Sequence, residues 1–240
     1  MLLANSLIDG FFLSNGLGKG IVYAQILLSV VMVTIIIGKW RDLLRLAAES
    51  RRFRRDFDAR DGVLDYLIQR RPTTSEGMEG LYRVTCERLL SLLPPQMRMM
   101  LAGHTDDGLG SAVLDVREIE LVRGTCEHHL EEEELRYDYG MGFYSSIVTL
   151  EPMLGLLGTV WGVLDAFAVM GTNGSASLAT IAPSISSALV TTVVGLLVAL
   201  PGAGIFVFLK GRIRQLTSEM EGFADELISR MKYQLQGKED

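Results

Sequence analysis

Thr180, Ser184, Ser187 and Thr191 recur at i, i+4, i+7 and i+11 in a stretch otherwise rich in Ala, Ile, Leu and Val. That spacing sets four hydroxyls in one row along a helix. Ser186 and Thr192 flank the row. Such a row has two uses. Small hydroxyl side chains let neighbouring backbones approach closely and can bond back to their own carbonyls. They can also wall a hydrated path for ions, and the length of the row favours this, because packing needs only one or two such contacts. Upstream, Gly155, Gly158 and Gly162 surround Thr159. Gly158 and Gly162 form a small-xxx-small pair, which suits tight helix contact. Two acids share this region. Glu151 precedes Pro152, where a helix can kink, and Asp165 lies toward the other end of the same apolar block. A bare carboxylate in hydrocarbon costs several kcal/mol, so each acid must be paired, protonated or wet. Asp165, close to the outer surface, also reads as an interfacial residue.

The elements that position these residues are membrane spans. From Ala166 to Leu209 no side chain is charged, and Gly171-Thr172-Asn173-Gly174-Ser175 breaks the run where a turn belongs. The stretch is too long for one crossing and reads as a helical hairpin. An earlier apolar block, Gly20 to Gly38, just spans a core of about 30 Å at ~1.5 Å per residue. A signal peptide would need a basic start and a small-residue cleavage site, and neither accompanies this block. The chain is 48% hydrophobic and 22% charged. Segregation of the two classes, rather than either total, excludes a soluble fold.

Basic residues orient the spans. Lys39, Arg41, Arg45, Arg51, Arg52, Arg54 and Arg55 follow the first block, and Lys210, Arg212 and Arg214 follow the last. The positive-inside rule therefore sets 39–139 and the C-terminus in the cytoplasm. The expected organisation is a periplasmic segment 1–19, a first span 20–38, a cytoplasmic helical region 39–139, a second span 140–170, a periplasmic loop 171–176, a third span 177–209 and a cytoplasmic C-terminal helix 210–240. The third block is too long for the bilayer even when tilted, so its helix is expected to project beyond the membrane. Within 39–139, Leu81, Val84, Leu89, Leu92 and Leu93 predict an amphipathic helix that starts after Gly80 and ends at Pro94-Pro95. The pattern resumes from Ser111 through Val113, Val116, Ile119 and Val122, passes Gly124, and is expected to continue straight into the second span. The cytoplasmic part has little apolar surface and is expected to pack on the projecting helix ends. The fold class is all-α.

Other chemistries find no support. The net charge of −6 offers nothing to nucleic acid. Cys86 and Cys126 match no metal or redox spacing, and His104, His128 and His129 form no ligand set. His128 and His129 lie in the acidic run Glu127 to Glu134, which reads as a solvated helix face. No nucleophile, phosphate-binding or metalloprotease motif is present, so neither an enzyme nor a cofactor is expected.

The stretch Pro152-Met153-Leu154-Gly155-Leu156-Leu157-Gly158-Thr159-Val160-Trp161-Gly162 resembles the second-span motif of the TolQ/ExbB group in the MotA/TolQ/ExbB proton-channel family. Leu178 to Pro201, with Ala182-Pro183, Ala188-Leu189 and Thr192-Val193-Val194-Gly195-Leu196, is similar to that group's third-span motif. The resemblance implies a bacterial inner-membrane homopentamer of long helices. It further implies a central pore enclosing the single spans of two ExbD- or TolR-like subunits, whose Asp takes and releases the proton. Thr159 and Thr192 are the matched threonines. The family's usual third-span Glu, five residues before the matched Thr, is replaced by Ser187, which cannot titrate near neutral pH. Either the partner's Asp is then the only titrating group, or the ion is Na⁺, or Asp165 or Glu151 compensates. The expected function is an ion-driven motor subunit with a pore lined by Thr159, Ser187, Thr191, Thr192, Ser184 and Thr180. The competing reading is a non-conducting scaffold that assembles an envelope complex.

Overall fold

In a computed structural model, residues 16–59, 63, 76–95, 115–173 and 178–235 are described. Gly174 to Ala176 of the expected loop, Ser111 and Val113 lie outside these residues, as does the side chain of Thr180. Five helices account for nearly all of the described chain: α1 Gly16–Asp58, α2 Gly77–Leu92, α3 Val116–Asp138, α4 Met141–Asn173 and α5 Leu178–Leu235. Three stretches are long and apolar enough to cross a membrane, Gly16–Asp58, Val116–Gly171 and Ile181–Tyr233.

Several boundaries differ from the sequence expectation. Gly171, Thr172 and Asn173 still belong to α4, so the turn begins later than its glycine suggests. Helix α5 is one continuous element through the expected boundary at residues 209 and 210, with Pro183 and Pro201 inside it, and runs to Leu235. Helix α2 begins at Gly77, three residues before Gly80, where a φ of +63° suits glycine. Helix α3 does not run straight into the second span. The helix breaks at Tyr139 and Gly140, and Gly140 takes a φ of +81°, a left-handed conformation that glycine adopts without a Cβ penalty. Gly124 leaves α3 uninterrupted.

The chain divides into two compact units, residues 1–40 with 140–209, and residues 41–139 with 210–240. In the first unit, Met32, Tyr144 and Ile147 form a small buried cluster. Outward from it, Leu27, Val30, Val33, Leu156, Val160, Leu164, Phe167, Leu197, Leu200 and Val207 are exposed. Helices whose backbone groups are satisfied internally can present such side chains to lipid or to neighbouring helices.

The second unit has its own core, in which Phe53, Phe57, Leu81, Tyr82, Leu89, Ile119, Val122, Cys126, Phe223 and Leu227 are buried together. The segment 41–139 shares this core with the C-terminal half of α5. Phe57 meets Phe223 edge-on at 5.1 Å between ring centres, and the Arg230 guanidinium lies 4.9 Å from the centre of the Phe57 ring. Helix α3 opens on a capping box, with Asp115 N donating to Glu118 Oε2 at 2.9 Å. Most of Glu127–Glu134 is solvated, but Glu133 is only 1% exposed. It accepts from Gly77 N at 3.2 Å, from the Tyr137 hydroxyl and from Arg136 Nη1 at 3.0 Å, which compensates its burial.

Candidate functional site

The site is built where α4 and α5 touch, and glycine makes the contact possible. A Cβ on Gly162 would lie 2.4 Å from Ala188 Cβ, one on Gly158 2.1 Å from Thr191 Oγ1, and one on Gly155 2.8 Å from Thr192 Cα. Further along, a Cβ on Gly195 would lie 2.5 Å from the Glu151 carbonyl oxygen. As the α4 partner moves back from 162 to 151, the α5 partner moves forward from 188 to 195. The two helices are therefore antiparallel. Helix α1 meets α5 at Gln25 with Gly195, at Met32 with Gly202 and at Trp40 with Phe208, so α1 runs parallel to α5. This up-down-up order is what three successive crossings require.

Three described hydroxyls of α5, those of Ser184, Thr191 and Thr192, reach across to α4. Thr192 Oγ1 donates to the Gly155 carbonyl at 2.8 Å. Thr191 Oγ1 reaches the same carbonyl at 3.2 Å and its own helix at Ala188 O, 2.7 Å. Ser184 Oγ donates to Asp165 Oδ2 at 3.4 Å, and Ser187 Oγ donates to Ser184 O at 3.0 Å. On α4, Thr159 Oγ1 bonds back to Leu156 O at 2.8 Å. Thr191 is 1% exposed and Ser187 is buried, whereas Thr159, Ser184, Thr192 and Asp165 are half-buried. A hydroxyl that donates its hydrogen still has lone pairs with which to accept from water or meet a cation.

Gln25 is a residue that sequence reasoning did not single out. It is 0% exposed, and its Nε2 donates to Glu151 O at 3.2 Å and Thr191 O at 3.1 Å. The sequence signal is a single amide side chain inside the first span. Glu151 is likewise 0% exposed. Tyr144 also escaped notice; its hydroxyl donates to Gly202 O at 2.8 Å and ties the same helices nearer Met32. Among the described residues, no group of His, Cys, Asp and Glu is arranged to hold a metal ion.

Comparison with known proteins places this geometry in a family. Residues 95–222, over half the chain, match the MotA/TolQ/ExbB proton channel family. The chain is similar to the biopolymer transport protein ExbB of Neisseria gonorrhoeae, with 40% identity over 96 residues, 40% of this chain and 44% of that protein. It is similar to the Tol-Pal system protein TolQ of Pseudomonas aeruginosa, with 34% identity over 97 residues, 40% of this chain and 42% of that protein. These matches thus span less than half the length of each relative. The likeness to the Tol-Pal system protein TolQ of Haemophilus influenzae is weaker, 24% identical, but covers 96% of both chains. Gly155, Gly158, Gly162, Gly195 and the hydroxyls of Thr159, Ser184, Ser187, Thr191 and Thr192 all lie within the matched region, and the chain belongs to the MotA/TolQ/ExbB proton channel family.

Proposed function

We propose that this protein is the ring-forming subunit of an ion-driven motor in the bacterial inner membrane. Five copies surround the single spans of two ExbD- or TolR-like subunits. Ions moving through the ring drive those partners to do envelope work or transport. The N-terminus faces the periplasm and the C-terminus the cytoplasm, a reading supported by the basic residues after the first and third spans. An ion crossing the membrane releases about 2.3 kcal/mol per charge for each ~100 mV, enough to bias a rotation or tilt of the partner.

The observation that carries this reading is the pairing of Thr192 with Gly155, one turn from Thr159, inside the region matched to a channel family. Both threonines donate their hydrogens to carbonyls and are half-buried, so their oxygens remain able to accept from water. Thr159 and Thr192 line the pore, and Ser187, Ser184 and Thr180 continue the polar row along α5. Thr191 joins that row from the α4–α5 seam, where its hydroxyl is already occupied.

The scaffold reading has one observation in its favour. Every described hydroxyl of the row has a partner within the chain, as helix packing alone would also produce. The test is ion flux into vesicles holding the protein with its single-span partner. Loss of flux in Thr159→Val and Thr192→Val, with the complex still assembled, supports the motor. Unchanged flux supports the scaffold.

A further inference from the structure

Three buried acceptor atoms stand without a donor in the three-helix unit: Gln25 Oε1 and both side-chain oxygens of Glu151. The two residues share one layer, because Gln25 Nε2 donates to the Glu151 carbonyl. The layer is closed within one chain by Gln25 from α1, Glu151 from α4, and Thr191 and Gly195 from α5. The other titratable groups of these helices are directed elsewhere. Helix α5 has none between Leu178 and Leu209. On α1, Lys19 and Tyr23 are six and two residues from Gln25, spacings that turn them off its face. On α4, the Tyr144 hydroxyl is held by Gly202 and Asp165 accepts from Ser184.

A carboxylate here has neither a counter-charge nor a donor among the described residues, and burial without either disfavours the ionised form. A proton meets the shortage directly. It converts one Glu151 oxygen into an O–H donor, and Gln25, whose amide nitrogen already bonds the Glu151 backbone carbonyl, offers a buried oxygen that has no donor. We propose that Glu151 is an intramembrane proton-binding site, with Gln25 as the acceptor that steadies the protonated form. On loading, hydronium gives its proton to the carboxylate, an O–H bond forms and water remains; release to water reverses the step. Resting on the motor reading, the site then carries in the second span the titration that Ser187 cannot perform in the third.

A membrane-permeant carbodiimide tests this in the complex reconstituted with its partner. The reagent takes the proton of a neutral carboxyl, the carboxylate adds to its central carbon, and the resulting O-acylisourea, kept from water, rearranges by an O-to-N acyl shift to a stable N-acylurea found by mass mapping. The expected result is labelling of Glu151 that falls as pH rises and is indifferent to Na⁺. Glu151→Gln should abolish that label and the ion flux while the complex keeps its size, and Glu151→Asp should keep part of both. Absence of label on Glu151 at any pH, protection by Na⁺, or full flux in Glu151→Gln overturns the proposal. The two readings separate cleanly. A pH-dependent label without wild-type flux keeps the proton site and removes the motor, whereas flux that survives Glu151→Gln keeps the motor and removes the site.

Discussion

Gln25 donates its side-chain amide to the backbone carbonyl of Glu151 at 3.2 Å, across 126 residues of sequence. The same nitrogen reaches Thr191 O, so one side chain of the first span ties the second and third together. Gln25→Leu keeps the bulk and removes both bonds. Interhelical hydrogen bonds in membranes contribute about 0.6–2 kcal/mol, so the variant should be less stable by about 1–2 kcal/mol. Its unfolding midpoint in mild detergent should fall measurably below that of the wild type.

Gly158→Ala should be worse than its size suggests. The added Cβ would meet Thr191 Oγ1 at 2.1 Å, on a buried side chain whose one hydroxyl hydrogen is shared between Ala188 O and Gly155 O. Overpacking of this kind costs about 1–3 kcal/mol. Gly204→Ala is the matched control, since nothing lies within 4 Å of its Cβ position. It should change little, or stabilise α5 by up to about 1 kcal/mol. Thermal unfolding of the two variants side by side checks the difference, and equal midpoints would contradict the close α4–α5 packing.

The thiols of Cys86 and Cys126 should be silent near neutral pH. Burial pushes Cys86 up to about 12 and raises Cys126 as well, against the smaller lowering effect of hydrogen bonding with Tyr82 and Thr85 respectively. The thiolate is the reactive form, so reactivity should emerge only as pH climbs far above neutral. A disulfide reagent should count no fast thiol in the native protein and both in denaturant. Rapid native labelling of either residue would contradict the packed core around them.

Parts of this arrangement were legible in the sequence for physical reasons. Gly158 and Gly162, and the Ser184–Ser187–Thr191 row, carry helical periodicity, and periodicity survives without knowledge of partners. Gln25 carries none: its role depends on two carbonyls brought to it by tertiary packing. Glu133 sits in an acidic run that looks solvated, and only its distant partner Gly77 distinguishes it from its neighbours. The break at Gly140 was visible as a glycine, but a lone glycine can lie inside a helix, as Gly124 does; the positive φ is not written in composition.

Ser187→Glu restores a carboxyl where the family usually has one. Ser187 is buried and bonded to Ser184 O, so the longer side chain must displace that contact. If a proton is the coupling ion, assembly and flux should survive while the flux profile moves along the pH axis, since a second titrating group joins the path. A new dependence on Na⁺, or a block relieved by removing Na⁺, would show instead that the pore handles a metal cation.

The central claim is that half-buried hydroxyls at Thr159 and Thr192 conduct. Val matches Thr closely in shape but lacks the hydroxyl, which makes Thr159→Val and Thr192→Val the direct probes. The decisive measurement is ion flux into vesicles under an imposed gradient, with assembly checked on the same preparation by native mass spectrometry. Intact rings that hold the single-span partner and carry no coupled flux are expected in either variant. Intact rings with wild-type flux in both would contradict the claim.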